Sequence, residues 1–162
     1  MNRVKHKVLF QMDPFNKLNI KTDSTISIIK EALNFGIKVY VSNPDDLTLE
    51  KNSVFTNCTD ISLKGSKLSF GKIKRSNIDK FDYFFIRQDP PFDLNYLTNC
   101  YLLELHQKFN EKPRFINDPG GIKNFTEKIC PIYFSNLMPK TLITSDEEVF
   151  KDMLFRKKIL IY

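Results

Sequence analysis

The residues of this chain best suited to chemistry are Arg87 and Asp89, a guanidinium and a carboxylate two positions apart. They follow the apolar run Tyr83-Phe84-Phe85, which is typical of a buried strand, and they precede Pro90-Pro91. A charge at the carboxyl end of a buried strand lies where open α/β sheets bind their ligands. The prolines restrict the backbone beside both charges, so the turn is stiff. This segment therefore predicts a ligand-binding site.

Arg87 has the geometry to clamp a substrate carboxylate with two parallel hydrogen bonds. Asp89 then has two candidate roles, because it can orient Arg87 or bind a substrate ammonium. The alternative for both residues is a structural ion pair at the end of a strand. Composition alone favours neither reading.

A second polar group, formed by Asp13, Lys21 and Ser24, lies between the first predicted strand and the first predicted helix. This is the usual phosphate- or carboxylate-binding position of a doubly wound sheet. No glycine-rich fingerprint accompanies it, which disfavours a dinucleotide. Asp13 can instead serve the turn, and Ser24 the first turn of the helix, through local hydrogen bonds. Lys21 has no evident structural task and is the better candidate for a ligand.

The composition indicates a globular chain of the size of one ordinary domain. It has 162 residues, of which 41% are apolar. The net charge of +6 is spread along the sequence, and its densest clusters, Lys72–Arg75 and Arg156–Lys158, are short. No nucleic-acid-binding signature accompanies them, so we expect solvated surfaces and no nucleic-acid partner.

The cysteines and histidines argue against a disulfide framework and against a metal site. Three cysteines without C-x-x-C spacing and only two histidines supply neither. The first apolar run, Val8-Leu9-Phe10, is broken at once by Gln11 and Asp13, and no later run reaches membrane-spanning length. We expect a soluble, cytoplasmic protein without a signal peptide.

The order of the predicted elements is that of an α/β protein with an open, mostly parallel sheet flanked by helices. It begins with strand Val8–Met12, a helix capped by Asp23 and stopped by Gly36, and strand Ile37–Val41. Further predicted elements are, in chain order, a hairpin of Val54–Leu63 with Lys67–Phe70, strand Asp82–Arg87, a helix from Asp93 to about Phe109 with Leu97, Tyr101 and Leu105 on one face, strand Arg114–Asn117, and a turn at Gly120-Gly121.

The last part of the sequence predicts strand Thr141–Thr144, a helix with the capping box Ser145–Glu148 that ends near Phe155, and an apolar strand Lys158–Tyr162. A natural domain seldom ends inside a buried strand, because the apolar face of that strand would lack partners. We therefore expect the sequence to be a truncated part of a longer protein.

The chain resembles the N-terminal part of bacterial-type glutathione synthetase, a family of ATP-grasp ligases. The most specific match is Arg-x-Asp-Pro-Pro-Phe-Asp at Arg87–Asp93. Other matching segments, in the same order, are Met12-Asp13-Pro14, Asn19–Ser24, Asn117-Asp118-Pro119, Thr126-Glu127-Lys128, Phe134–Leu137, Pro139 and Thr141–Thr144. The stretch Asp45–Ile78 is variable. The family pattern often has Asn where this chain has Thr126.

The resemblance implies a substrate-binding, pre-ATP-grasp domain over residues 1–119 and the truncated beginning of an ATP-grasp domain over residues 120–162. It implies ligation of γ-glutamylcysteine to glycine with ATP and Mg²⁺, through an acyl phosphate. The substrate-binding residues that it implies are Arg87, Asp89, Asp13, Lys21 and Ser24, and Lys128 would reach the ATP phosphates. It implies no catalytic residue and no metal ligand within the chain, so we expect the chain alone to be inactive. It also implies a homo-oligomer for the full-length enzyme.

Two other functions also fit the sequence. One is an ATP-grasp carboxylate–amine ligase with a different acceptor for the acyl phosphate. The other is a non-enzymatic α/β ligand-binding or interaction domain, which the short length and the lack of a catalytic constellation suggest. The sequence indicates neither the oligomeric state nor the acceptor amine.

Overall fold

The computed structural model describes residues 6–20, 22–126 and 129–156. The chain divides into two compact units, Met1–Asn124 and Phe125–Tyr162. Among the described residues, the first unit contains a mixed β-sheet and three α-helices, and the second contains one α-helix and a 3₁₀ segment.

The first unit contains every strand of the described residues. In chain order these are β1 (Lys7–Met12), β2 (Lys38–Ser42), β3 (Thr48–Glu50), β4 (Ser53–Lys64), β5 (Lys67–Phe70), β6 (Lys74–Asn77), β7 (Tyr83–Arg87) and β8 (Arg114–Ile116). Its α-helices are α1 (Ser24–Asn34), α2 (Leu94–Phe109) and α3 (Pro119–Asn124).

The sheet has a parallel half and an antiparallel half. Its strand order is β3-β4-β2-β1-β7-β8, with β5 and β6 also paired to β4. Strand β1 pairs in parallel with β2 and β7, and β7 pairs in parallel with β8. Strand β4 is antiparallel to each of its four partners. The predicted mostly parallel sheet is therefore correct only for β2-β1-β7-β8, because the short hairpin connections around β4 can join only antiparallel strands.

The predicted opening of the sheet, β1–α1–β2, is confirmed. Asp23 caps α1, since its Oδ1 accepts a hydrogen bond from the N–H of Ile26 at 2.9 Å. Gly36 follows the end of the helix with a φ of +75°, and its N–H donates to Leu33 O at 2.9 Å. That left-handed conformation favours glycine, which is why the helix stops there.

The two longer helices of this unit cover opposite faces of the sheet. Phe10 of β1 belongs to a buried cluster with Ile26 of α1, whereas its neighbour Leu9 belongs to a second cluster with Leu103 of α2. Successive side chains of a strand point to opposite faces. Strand β1 therefore lies between two apolar layers.

The predicted extent of α2 is confirmed, and Asp93 caps it by accepting from the N–H of Tyr96 at 2.9 Å. The predicted apolar face is wrong, because Tyr101 and Leu105 are 49% and 42% exposed. The buried residues of the helix are Tyr96, Cys100, Leu103 and His106. A histidine can lie on this buried face because its Nδ1 accepts a hydrogen bond from the N–H of Val54 at 3.0 Å.

The predicted turn at Gly120-Gly121 is also wrong, because both glycines lie in α3. The carboxylate of Asp118 accepts from the N–H of Gly121 at 2.7 Å, and Pro119 occupies the first helical position. An acidic cap followed by proline starts a helix, and that local signal outweighs the low helix propensity of glycine.

In the second unit, a 3₁₀ segment covers Cys130–Leu137 and helix α4 covers Glu147–Arg156. The predicted helix is confirmed, but Asp146 caps it, accepting from the N–H groups of Glu148 and Val149 at 2.9 and 3.2 Å. The predicted strand Thr141–Thr144 is wrong, since these exposed residues have irregular backbone and the described part of this unit offers no strand to pair with. The predicted strand Lys158–Tyr162 lies outside the described residues. Within the described ranges, no helix has the length and apolar character needed to cross a membrane.

Candidate functional site

The carboxyl ends of β1 and β7 mark the point at which the strand order of the parallel half reverses. The chain passes from β1 through α1 to β2 on one side, and from β7 through α2 to β8 on the other. Connections that leave in opposite directions open a crevice, and open α/β sheets bind ligands in such crevices. Met12 is the register partner of Arg87, so the segments that follow both strands meet there.

Arg87 is held at this point by two hydroxyls from the first turn of α1. Its Nε donates to Thr25 Oγ1 at 3.0 Å and its Nη2 donates to Ser24 Oγ at 2.9 Å. A guanidinium has five N–H groups, so three have no partner among the described residues. Ser24, a predicted substrate-binding residue, therefore contacts Arg87, and the outer edge of the guanidinium is available to an anion.

Asp13 and Asp89 also come together, but through the backbone. The N–H of Asp89 donates to Asp13 Oδ2 at 2.7 Å, which ties the segment after β7 to the segment after β1. No ion pair joins Arg87 to Asp89 in the part of the chain that the structure describes, so the hydroxyls orient Arg87. The Asp89 residue is exposed at the rim of the crevice.

A pocket of about 310 Å³ lies beside Asp13, at the carboxyl ends of β1 and β2. Its polar lining comes from Asp13, Asp46, Asn43 and Asn57, among others. One apolar wall consists of Phe15 and Phe70, whose ring centroids are 4.8 Å apart in an edge-on arrangement. Carboxylates, amides and aromatic rings together suit a small polar ligand that carries an ammonium group.

A family model described as prokaryotic glutathione synthetase, N-terminal domain, matches residues 6–123. This chain belongs to the prokaryotic glutathione synthetase family. The match includes the sheet of the first unit, the Arg87–Asp93 segment and the residues that hold Arg87.

Individual glutathione synthetases give the same assignment. Those of Mesorhizobium japonicum and Agrobacterium fabrum are each 36% identical to this chain, over 88% and 90% of its length. That of Brucella melitensis is 35% identical over 94% of the chain. The matched parts are 46%, 46% and 48% of those proteins, so the chain spans about half the length of the curated relatives it matches.

Two residues of this candidate site were missed in the sequence. Thr25 carries no motif signal, and only the start of α1 at Ser24 places it beside Arg87. Tyr96 is 9% exposed, and burial raises the pKa of its hydroxyl to about 12; the charges of Asp13 and Asp89 act in the same direction, and that of Arg87 acts against it. The phenol is therefore a neutral hydrogen-bonding group. The only sequence signal for its position is the cap at Asp93, which fixes where α2 begins and so which of its residues face the sheet.

Two predicted site lysines cannot be related to this geometry. Lys21 and Lys128 both lie outside the described residues. Within the described ranges, no three or more histidine, cysteine, aspartate or glutamate side chains come together to hold a metal ion.

Proposed function

We propose that this chain provides substrate recognition in a glutathione synthetase, an ATP-dependent carboxylate–amine ligase. The reaction joins γ-glutamylcysteine to glycine, and ATP activates the carboxylate of the dipeptide as an acyl phosphate. The proposal is supported by one arrangement above all: Arg87 is fixed at the strand-order reversal and keeps three N–H groups for a ligand.

Arg87 binds a carboxylate of the substrate through its outer edge. The hydroxyls of Ser24 and Thr25 hold the guanidinium before the ligand arrives, so little side-chain entropy is lost on binding. Bidentate pairing of guanidinium with carboxylate fixes the direction of the ligand as well as its charge. The role of Arg87 is therefore to position the dipeptide, while the chemical step takes place on a different carboxylate.

The acidic side of the crevice binds the opposite charge. Asp13 and Asp89 supply carboxylates, and the pocket beside Asp13 adds Asp46. A dipeptide with an ammonium group and carboxylates has charges of both signs, which a site with a guanidinium on one side and carboxylates on the other matches. Ser24 contributes through Arg87, and Lys21 adds a second cation for a substrate carboxylate.

The remaining assignments extend the same proposal. Residues 1–119 form the substrate-binding domain, and residues 120–162 begin the ATP-grasp domain, in which Lys128 contacts the ATP phosphates. The partners are γ-glutamylcysteine, glycine and ATP, with Mg²⁺ bound to the nucleotide. The complete enzyme is a cytoplasmic homo-oligomer.

Isothermal titration of the chain with γ-glutamylcysteine tests this function. The matched ligand is the same dipeptide with both carboxylates converted to amides, which keeps its size and its ammonium group. We expect binding of γ-glutamylcysteine and binding at least about tenfold weaker for the diamide, since a charge-assisted hydrogen bond contributes roughly 1.5–3 kcal/mol. Equal affinity for the two ligands, or binding of neither, contradicts the proposal.

A further inference from the structure

A row of polar side chains is buried beneath the candidate site, on the side of the sheet that α2 covers. Gln11 of β1 is fully buried, and its register partner Ser42 of β2 is 4% exposed. Gln11 alternates with Phe10 and Met12, which belong to the cluster on the α1 side. Its amide therefore points into the layer between the sheet and α2, away from the crevice itself.

The amide of Gln11 is part of a chain of hydrogen bonds that ends at the functional segment. Its Nε2 donates to Gln88 Oε1 at 3.1 Å. Asn99 of α2 donates to the same oxygen at 3.3 Å and to the carbonyl of Pro44 at 3.1 Å. Gln88 stands between Arg87 and Asp89 in the sequence. The Gln88 side-chain oxygen thus connects the segment after β7 to β1 and to α2, and Asn99 extends the connection to the turn after β2.

This arrangement does not favour stability. Gln11 Oε1, Ser42 Oγ and Thr56 Oγ1 are buried and have no hydrogen-bond partner among the described residues. Buried polar groups left without partners destabilise a fold, and apolar groups of the same shape are often neutral or stabilising replacements. Leu9, the residue of β1 that shares a face with Gln11, is apolar and fully buried against α2, so an apolar residue is compatible with this layer too. Packing therefore does not account for an amide at position 11.

We propose that Gln11 is a positioning residue, which fixes the segment of Arg87 and Asp89 through Gln88 at the expense of some stability. The contact of Gln11 is with Gln88 and not with the crevice, so the effect on a ligand is indirect. A segment fixed in advance loses less conformational entropy when a ligand binds. The effect of Gln11 on ligand affinity rests on the proposed function, in which Arg87 binds a carboxylate of the dipeptide. The effect of Gln11 on the position of the segment does not depend on that function.

The test compares Gln11→Met with Gln107→Met in the complete 162-residue chain. Methionine is similar in length to glutamine and lacks the amide, and Gln107 is an exposed residue of α2 whose amide donates to Asp118 at 3.1 Å. Three quantities are measured: the urea midpoint of unfolding, hydrogen exchange at the amide of Asp89, and the dissociation constant of γ-glutamylcysteine. The Asp89 amide reports the position of the segment without any ligand, because it donates to Asp13 at 2.7 Å.

For Gln11→Met we expect the midpoint to be unchanged or higher. Exchange at Asp89 becomes about tenfold faster while the amides within β1 keep their rates, and the dissociation constant rises about tenfold. Gln107→Met changes neither the exchange at Asp89 nor the affinity. An unchanged exchange rate at Asp89, or a lower midpoint with faster exchange throughout the sheet, overturns the positioning role. If the wild-type chain binds no γ-glutamylcysteine, the proposed function fails, and the exchange rates still decide the role of Gln11.

Discussion

Arg87 and Thr25 lie 62 positions apart and are joined by a hydrogen bond of 3.0 Å from Nε to Oγ1. Arg87 Nη2 also donates to Ser24 Oγ. The two hydrogen bonds together occupy one edge of the guanidinium and leave the other edge available. The first turn of α1 therefore supports the site through its side chains, by orienting a cation at the end of the neighbouring strand. This arrangement decides which substitutions should change binding.

Arg87→Lys keeps the positive charge but loses the planar fork. We expect the dissociation constant of γ-glutamylcysteine to rise roughly tenfold to a hundredfold, since the lost interaction contributes roughly 1.5–3 kcal/mol. Arg114→Lys, at an exposed arginine that begins β8, is the matched control and should leave the affinity unchanged. If Arg87→Lys alters neither calorimetric affinity nor unfolding, Arg87 has no part in binding.

Thr25→Val removes the hydroxyl that orients Arg87 and keeps the volume of the buried side chain. A hydrogen bond of this kind contributes about 1 kcal/mol, so we expect roughly threefold to tenfold weaker binding of the dipeptide. Thr98→Val makes the same change on α2, where the hydroxyl donates only to the carbonyl of Leu94. A loss of affinity of equal size in both variants would mean that the effect is not specific to Arg87.

The sequence was sufficient for the parallel half of the fold, and it correctly predicted that Arg87 ends a buried strand. Strand β1, the cap at Asp23 and the stop at Gly36 each have a local signal, which the structure confirms. The segment Arg87–Asp89 was chosen as a candidate because its charges follow an apolar strand at the position where open α/β sheets bind ligands. Its partners were not all found, since Thr25 and Gln88 acquire their roles only when β1, α1 and β7 are assembled.

The failures have a common physical origin in tertiary contacts. On α2, the exposed Tyr101 and Leu105 have the spacing of an apolar face, but the buried face is set by His106, which bonds to the backbone of β4. The predicted hairpin of β4 with β5 is confirmed, but the pairing of β4 with β2, β3 and β6 was not predicted, because such pairing is not encoded in any single segment. The site roles of Lys21 and Lys128 stay predictions.

His106 makes stability depend on pH. Its Nδ1 accepts from the N–H of Val54, so the other nitrogen, Nε2, donates to the carbonyl of Lys112 at 2.7 Å. Burial lowers the pKa of this imidazole below its usual 6.5. Because the pKa is lower in the folded state, the unfolded chain takes up the proton first as the pH decreases. The contribution of neutral His106 to the free energy of unfolding is therefore fully present above about pH 6.5 and is lost as the pH decreases below that value.

Urea unfolding at pH 7.5 and 5.5 measures this effect. We expect a lower midpoint at pH 5.5 for the wild type and a smaller difference between the two pH values for His106→Gln, which cannot be protonated. The exposed His6, 3.7 Å from Asp82, serves as the control position in His6→Gln. A midpoint that rises on acidification, or a pH dependence that His106→Gln leaves intact, would show that another group is responsible.

The 162-residue chain alone should not make glutathione from γ-glutamylcysteine, glycine, ATP and Mg²⁺. Phosphoryl transfer relies on metal ions and cations around the phosphates, and the chain matches only 46–48% of the length of the glutathione synthetases compared with it. A coupled assay of ADP release, with host enzyme excluded by a parallel purification of Arg87→Lys, measures this. Turnover above background that requires all four components would contradict the expectation.

The most direct measurement of the central claim is a titration of the ¹⁵N-labelled chain with γ-glutamylcysteine, followed by NMR. The account predicts shifts at the Nε–H of Arg87 and at the amides of Asp13, Ser24 and Asp89, and none at the outer face of α2 around Tyr101. Those positions surround the crevice between β1 and β7. Shifts confined to the outer face of α2, or no shift at Arg87 when the dipeptide is bound, would contradict the account.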